Sequence, residues 1–259
     1  MVLTDRSQLQ TARRLVVKVG SSSISGANVG KIDLLVEALA AAHQRGCQVI
    51  LVTSGAIATG MPLLNLEAKP EDLPTSQALA SVGQSRLMYR YQQSLERFGL
   101  FAGQILLTSE DMTNEATRAN ARRAFDRLLE LRVIPIVNEN DTTATAEIRF
   151  GDNDKLAAMV AILVDADGLV LLSDVDSLYD APPSQAGAAR IETVSDFAAL
   201  EAAQIGGTST GVGSGGAVTK VAAAKLAAEA GVSVLLTSTD QVADALGGES
   251  VGTWFQATS

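Results

Sequence analysis

Short apolar runs alternate with longer amphipathic segments along this 259-residue chain. Runs such as "LVVKV" and "VIPIV" lack the apolar–polar alternation of a half-exposed strand, so they are typical of parallel strands covered on both faces. The predicted strands are Leu15–Val19, Gln48–Val52, Gln104–Leu107, Val133–Val137, Leu169–Leu172 and Val234–Leu236. The predicted helices are Ile32–Arg45, Ser76–Phe98, Asn114–Leu131, Leu156–Val164 and Thr219–Ala230. This alternation predicts an α/β fold with a mostly parallel sheet between layers of helices.

Composition narrows the classes of partner. The net charge of −9 provides no basic field for a nucleic acid, although a few backbone amides and lysines are enough to hold a nucleotide. The longest uninterrupted apolar run, Leu156–Val164, is too short to span a bilayer. We therefore expect neither a nucleic-acid nor a membrane partner.

The chain contains a single cysteine and a single histidine. Cys47 cannot form an intrachain disulfide, and the N-terminal segment does not resemble a signal peptide, so a cytoplasmic location is the simplest expectation. His43 lies near the end of a helical pattern, where a cation suits the helix dipole. One histidine excludes His-rich metal sites.

The ends of the predicted strands carry the first candidate site residues, because ligands in open α/β sheets gather beyond the carboxyl ends of the strands. Lys18 lies inside an apolar strand and therefore needs a partner. Thr53, Ser54 and Gly55 follow the second strand, where they form either an anion site or an ordinary helix cap.

Polar residues also follow two later strands. The run "NEND", from Asn138 to Asp141, suits a turn, but its place at the ligand rim favours binding. Asp174 and Asp176 have a calcium-type spacing without the remaining ligands, so we interpret them as loop residues near a nucleotide and expect no protein-bound metal site.

A glycine-rich segment, residues 207–220, ends on Lys220 in the first turn of a predicted helix. Glycines let backbone amides approach an anion and the lysine adds charge, so the segment suits phosphate binding. It is not a Walker A motif. Gly211, Gly213 and Gly216 match a bare dinucleotide pattern, which keeps an NAD-dependent oxidoreductase open as an alternative.

The stretch "GDND" places Asp152 and Asp154 on either side of Asn153 at a predicted helix start. Two carboxylates about 6 Å apart repel by roughly 3 kcal/mol at an effective dielectric of 20, so they need a cationic partner. Lys18 and Lys220 would be these cationic partners in a site for phosphoryl transfer. The two lysines would hold the phosphate, and Asp154 would fix both lysines. Asp152 and Asn153 would then face a substrate amine.

The motifs "VTSGAIATG", "ASVGQSRLMYRY", "NENDTTATAEIRFGDND" and "GSGGAVTK" together resemble the amino acid kinase family, and within it the members that act on glutamate. The resemblance covers almost the whole chain and implies an open αβα sandwich. It implies that ATP, with Mg2+, phosphorylates the side-chain carboxylate of L-glutamate to γ-glutamyl phosphate on the way to proline. Proline as a feedback inhibitor and a homo-oligomer (dimer or tetramer) are also implied. A kinase of another amino-acid carboxylate and a non-catalytic amino-acid sensor stay open.

The same resemblance assigns roles to individual residues. Lys18 and Lys220 stabilise the transferred phosphoryl group, and Asp154 organises them. The glutamate-holding positions are Ser54, Asp141 and Asn153, with Asn138 and Asp152 nearby. The nucleotide-binding positions are Lys18, Ser173, Asp174, Ser214, Gly215, Gly216, Ala217, Val218, Thr219 and Lys220.

Two departures and one boundary accompany the resemblance. Ala217 stands where the family usually has methionine, and Val218 replaces a commonly polar residue, so we expect nucleotide affinity to differ. Residues 1–259 are expected to form one amino acid kinase domain, with substrate binding mainly in its N-terminal part and nucleotide binding mainly in its C-terminal part. We expect no C-terminal PUA domain, because the sequence ends at Ser259.

Overall fold

A computed structural model describes residues 1–143, 153–181, 187–202 and 216–258. Within these ranges the strands form an 8-stranded sheet in the order β3-β4-β2-β1-β5-β7-β8-β6. The strands are β1 (Arg14–Val19), β2 (Gln48–Val52), β3 (Ala102–Leu107), β4 (Ile134–Glu139), β5 (Gly168–Ser173), β6 (Thr193–Val194), β7 (Ser233–Ser238) and β8 (Thr253–Phe255). All neighbours pair in parallel except β7 and β8.

Helices cover both faces of this sheet. They are α1 (Lys31–Gln44), α2 (Ala56–Gly60), α3 (Leu73–Glu96), α4 (Ser109–Thr113), α5 (Glu115–Glu130), α6 (Asn153–Leu163), α7 (Phe197–Ala202), α8 (Ala217–Glu229) and α9 (Val242–Gly247). The predicted α/β fold, with a mostly parallel sheet between helical layers, is confirmed. Among the described residues no helix is both long and apolar enough to cross a membrane.

Side-chain alternation along β1 decides where its lysine points. Val16 packs into the core cluster formed with α6 and α8, whereas Leu15 and Val17 pack into the opposite cluster with α1, α3 and α9. Because successive side chains of a strand alternate between faces, Lys18 lies on the same face as Val16. The strand therefore directs its one charged interior residue towards α6 and α8.

Several element boundaries differ from the sequence expectation. β4 continues to Glu139, so Asn138 and Glu139 are strand residues rather than part of a turn. α6 begins at Asn153, which places the "ND" pair inside its first turn instead of before it. Val234–Leu236 does not close the sheet, because β8 follows it and pairs with β7 in antiparallel fashion.

The contact between α2 and α3 is unusually close because two glycines form it. A Cβ atom built on Gly83 would lie 1.8 Å from the carbonyl oxygen of Ala56, and one on Gly60 would lie 2.2 Å from that of Leu79. The chain therefore needs glycine at both positions for the helices to cross at this distance. This crossing sets where the first turn of α2 lies beyond the end of β2.

The lone histidine and cysteine are both buried. Burial and the nearby guanidinium of Arg132 lower the pKa of His43, so the expected cation at the end of α1 is wrong and the neutral ring is favoured. Burial raises the pKa of Cys47 to about 12, which suits a small core residue rather than a nucleophile.

Candidate active site

Asp154 lies between two lysines that are distant in sequence. Its Oδ1 is 2.5 Å from Lys18 Nζ, and its Oδ2 is 3.1 Å from Lys220 Nζ. The three side chains come from β1, α6 and α8, and all are at least nine-tenths buried. The structure thus brings together the three residues that the sequence predicts to converge.

The electrostatics of this group favour charged side chains. Burial by itself would raise the pKa of Asp154, but the ammonium groups of Lys18 and Lys220 outweigh it and hold that pKa below its ordinary value. The hydroxyl of Thr219 donates a further hydrogen bond to Asp154 Oδ2, at 3.2 Å. One carboxylate thus faces two cations, so the group carries a net positive charge that suits a phosphate.

Asn153, next along α6, belongs to a neighbouring polar cluster. Its Nδ2 donates to the carbonyl of Thr53 at 2.7 Å, to Ser54 Oγ at 3.0 Å and to Asn138 Oδ1 at 2.9 Å. The ends of β2 and β4 supply these partners. Asn153 therefore contacts two other predicted substrate-holding residues, Ser54 and Asn138.

A cleft of about 180 Å³ opens beside this cluster. Its lining includes Ser54, Asn138, Asn153 and Asp141, together with residues 55–58 at the start of α2. Asn153 directly precedes Asp154 in α6, so the cleft adjoins the Lys18–Asp154–Lys220 group. The cleft has the size of a small metabolite rather than of a nucleotide.

Two charged residues of the cleft were not among the predicted site residues. Lys69 enters from the segment before α3, where its exposed position and loop-like sequence context give no signal. Glu139 is buried at the end of β4 and lines the same cleft. The run "NEND" includes Glu139 and favours binding at the ligand rim, but it gives Glu139 no specific role.

Asp141 has a distinctive titration behaviour. Burial raises its pKa to about 6, and the positive charge of Lys69 opposes this shift. A carboxyl group that is ionised at neutral pH and faces a cleft can receive a substrate ammonium group. Its position agrees with the predicted glutamate-holding role.

The predicted nucleotide-binding residues are only partly described. At the end of β5, Ser173 is buried and its hydroxyl donates to the exposed Asp174 at 2.9 Å. Gly216 caps α8 without a side-chain hydrogen bond, and Val218 in its first turn is 82% exposed. Ala217 packs against the core instead. Ser214, Gly215 and Asp152 lie outside the described residues, as do Gly211 and Gly213 of the dinucleotide pattern.

No group of three or more His, Cys, Asp or Glu side chains within the described ranges is arranged to hold a metal ion. Mg2+ keeps several waters and is commonly bound through substrate phosphates with one or two carboxylates. The exposed Asp174, at the end of β5, fits such a supporting role without a dedicated protein cage.

Comparison with known proteins places these residues in context. The profile of the Amino acid kinase family matches residues 13–238. The chain is 64% identical over 259 residues to a glutamate 5-kinase of Clavibacter sepedonicus, covering 100% of both chains. It is 62% identical to that of Leifsonia xyli subsp. xyli (98% of this chain, 95% of the relative) and 52% identical to that of Streptomyces coelicolor (98% and 69%).

Solved structures support the same fold. The carbamate kinase from Giardia lamblia bound to AMP-PNP superposes with a TM-score of 0.68 at 14% identity, covering 95% of this chain and 99% of the other. This likeness concerns the fold alone. The oxidoreductase alternative is not favoured by any of these comparisons. With a family profile across most of its length and close relatives along all of it, the chain belongs to the amino acid kinase family.

Proposed function

We propose that this protein transfers the γ-phosphoryl group of ATP to the side-chain carboxylate of L-glutamate, giving γ-glutamyl phosphate and ADP. The observation that carries the proposal is the contact of Asp154 with both Lys18 and Lys220. The relatives bearing the name glutamate 5-kinase, at 50–64% identity, support the choice of glutamate.

The residues have separable tasks in this reaction. A carboxylate oxygen of glutamate forms a bond to the γ-phosphorus while the bond from that phosphorus to the β–γ bridging oxygen breaks, and ADP leaves with the electron pair. Lys18 and Lys220 are placed to stabilise the negative charge on the phosphoryl oxygens. Asp154 keeps the two ammonium groups in position without itself exchanging a proton.

The cleft would hold the amino-acid end of the substrate. Asp141 offers a carboxylate to the ammonium group, and Asn153 offers an amide oxygen close to it. Lys69 brings positive charge to the same cleft, where the α-carboxylate needs a partner. This arrangement leaves the side-chain carboxylate of glutamate directed towards the lysines.

The proposal is tested with ATP, Mg2+ and a panel of acids in the presence of hydroxylamine, which converts an acyl phosphate to a hydroxamate. We expect hydroxamate from glutamate and much less from aspartate, N-acetylglutamate or glutarate. Product from aspartate or N-acetylglutamate in place of glutamate would correct the substrate and keep the kinase. If no acid gives hydroxamate in an ATP-dependent manner, the kinase activity itself is contradicted.

Four finer properties belong to the same proposal. Mg2+ would accompany ATP, proline would act as a feedback inhibitor, the chain would form a homo-oligomer, and it would work in the cytoplasm. The single buried cysteine agrees with the location, and the cleft is of a size for proline. Omission of Mg2+ is expected to abolish hydroxamate formation.

A further inference from the structure

A row of carboxamide side chains leads from the exposed edge strand β3 to the substrate cleft. Asn153 Nδ2 donates to Asn138 Oδ1 at 2.9 Å, Asn138 Nδ2 donates to Gln84 Oε1 at 2.7 Å, and Gln84 Nε2 donates to Gln104 Oε1 at 3.3 Å. Every hydrogen bond runs outward from the cleft. We call this row, Asn153–Asn138–Gln84–Gln104, the carboxamide relay.

Backbone groups favour one orientation of each asparagine amide in the relay, and the hydrogen bond from Asn138 to Gln84 adds to that preference. The N–H of Glu139 donates to Asn138 Oδ1 at 3.0 Å, and the carbonyl of Thr53 accepts from Asn153 Nδ2 at 2.7 Å. A backbone N–H cannot accept and a carbonyl cannot donate, so neither asparagine can be reversed without losing a bond. Asn138 therefore donates from its NH2 group to Gln84, and Gln84 accepts this hydrogen bond with Oε1.

At the inner end of the relay, the amide oxygen of Asn153 accepts no hydrogen bond from the described residues. Asn153 Oδ1 is buried and has no hydrogen-bond partner among the described residues, and Asn153 lines the cleft. A buried acceptor without a partner is unfavourable, so this oxygen suits an N–H donor from a ligand. Gln84 lines a neighbouring pocket rather than the cleft, and its hydrogen bond to Asn138 links it to the amides of the cleft.

We propose that Gln84 is a positioning residue: by accepting from Asn138 it holds Asn153 with its oxygen towards the α-ammonium group of the substrate. The inference rests on the proposed function, because the ammonium group is that of glutamate. It assigns a role to the "GQ" pair of α3, where Gly83 lets α2 approach and Gln84 orients the amides behind it.

The test compares glutamate with glutarate, which has both carboxylates but no amine. In Gln84→Met, which has a similar size but no amide oxygen, the ratio of kcat/KM for glutamate to that for glutarate is expected to fall by about tenfold, equivalent to about 1.4 kcal/mol. The KM for ATP is expected to stay unchanged. Gln84→Glu keeps an oxygen towards Asn138 and is expected to hold the ratio within about threefold of the wild type.

Gln92→Met is the matched control. Gln92 lies on the same helix and also accepts a hydrogen bond, from the backbone N–H of Ala102 at 2.8 Å, but it does not belong to the relay. This variant is expected to keep the glutamate-to-glutarate ratio, whatever its stability. Should Gln84→Met be insoluble, Gln84→Leu removes the same acceptor from Asn138 and is expected to lower the ratio in the same direction.

The possible outcomes separate the relay from the proposed function. An unchanged ratio in Gln84→Met, or an equal loss in Gln84→Glu, would overturn the relay while leaving the kinase assignment intact. A wild-type protein that phosphorylates neither acid would count against the proposed function. In that case, isothermal titration of glutamate still judges the relay: weaker binding to Gln84→Met supports it, and equal binding overturns it.

Discussion

At the scale of single residues, the clearest signal is a charge in an apolar strand. Lys18 was predicted to need a partner because burial of a lone ammonium group is costly, and Asp154 is that partner. Lys69 gave no comparable signal, because an exposed lysine in a loop is ordinary in any sequence. Its role depends on where the chain before α3 runs, which no local pattern specifies.

Asp141 predicts a pH dependence of substrate binding. Its pKa is raised to about 6, and only the ionised form attracts the ammonium group of glutamate. The KM for glutamate is therefore expected to fall by about tenfold as the pH rises from 5 to 7, measured through ADP release. Asp141→Asn is expected to show a high KM that changes little over this range.

Asp126→Asn serves as the control, since Asp126 pairs with Arg14 and Arg122 at the surface. It should keep the wild-type pH profile. The same raised pKa has a consequence for stability: protonated Asp141 favours the folded chain, and this contribution is lost as the pH rises through about 6. A KM that is flat between pH 5 and 7 in the wild type would contradict the assigned role.

At the scale of elements, periodicity predicted the central strands and long helices but not all of their ends. β4 was expected to end at Val137, because Asn and Asp favour turns, yet pairing with β3 continues through Glu139. The two-residue β6 and the three-residue β8 were missed, since such short strands carry no periodic pattern and depend on tertiary pairing.

The crossing of α2 and α3 predicts that Gly83→Ala is harmful. The added Cβ would meet the carbonyl oxygen of Ala56 at 1.8 Å, so α2 must move, and its first residues line the cleft. We expect the free energy of unfolding in urea to fall by about 1–3 kcal/mol, with a raised KM for glutamate.

Gly247→Ala is the matched control, because no atom lies within 4 Å of the added Cβ and the backbone is ordinary for alanine. Its free energy of unfolding should stay within about 0.5 kcal/mol of the wild type. Equal stability and equal KM in Gly83→Ala and the wild type would show that the helices do not cross as described.

At the scale of the whole molecule, a buried structural carboxylate lies at the end of the sheet opposite the candidate site. Asp167, directly before β5, is buried and accepts from the backbone N–H groups of Arg13 and Arg14 at 2.7 and 3.1 Å. The site lies at the other end of these strands, about 20 Å away for a strand of this length. The sequence predicted the functional end, because ligand chemistry gathers there. It did not single out Asp167, which resembles any turn residue.

Asp167→Asn is therefore expected to lower the free energy of unfolding by about 1–3 kcal/mol at pH 7. The KM for glutamate and the KM for ATP are expected to stay unchanged. Burial by itself would raise the pKa of Asp167, but hydrogen bonds from the chain's amino group and from Arg13 and Arg14 hold it below the ordinary value. The stabilisation is thus present above about pH 4 and is lost as the pH falls through the folded pKa.

The exposed neighbour Asp165 provides the comparison. Its φ of 48° is tolerated by asparagine, so Asp165→Asn should stay within about 0.5 kcal/mol of the wild type. If Asp167→Asn folds but has a raised KM for glutamate or for ATP, the separation of the two ends is contradicted.

The most direct measurement is the kcat of Lys18→Ala and of Lys220→Ala for ADP release with glutamate. Lys31→Ala is measured beside them, because Lys31 pairs with Asp240 and neither residue lines the cleft. Each active-site variant is expected to lose at least ~100-fold in kcat, the scale of one electrostatic contact made in the transition state. Lys31→Ala is expected to match the wild type. If either active-site variant keeps a kcat within about threefold of the wild type, the lysine pair around Asp154 is not where the phosphoryl group is transferred.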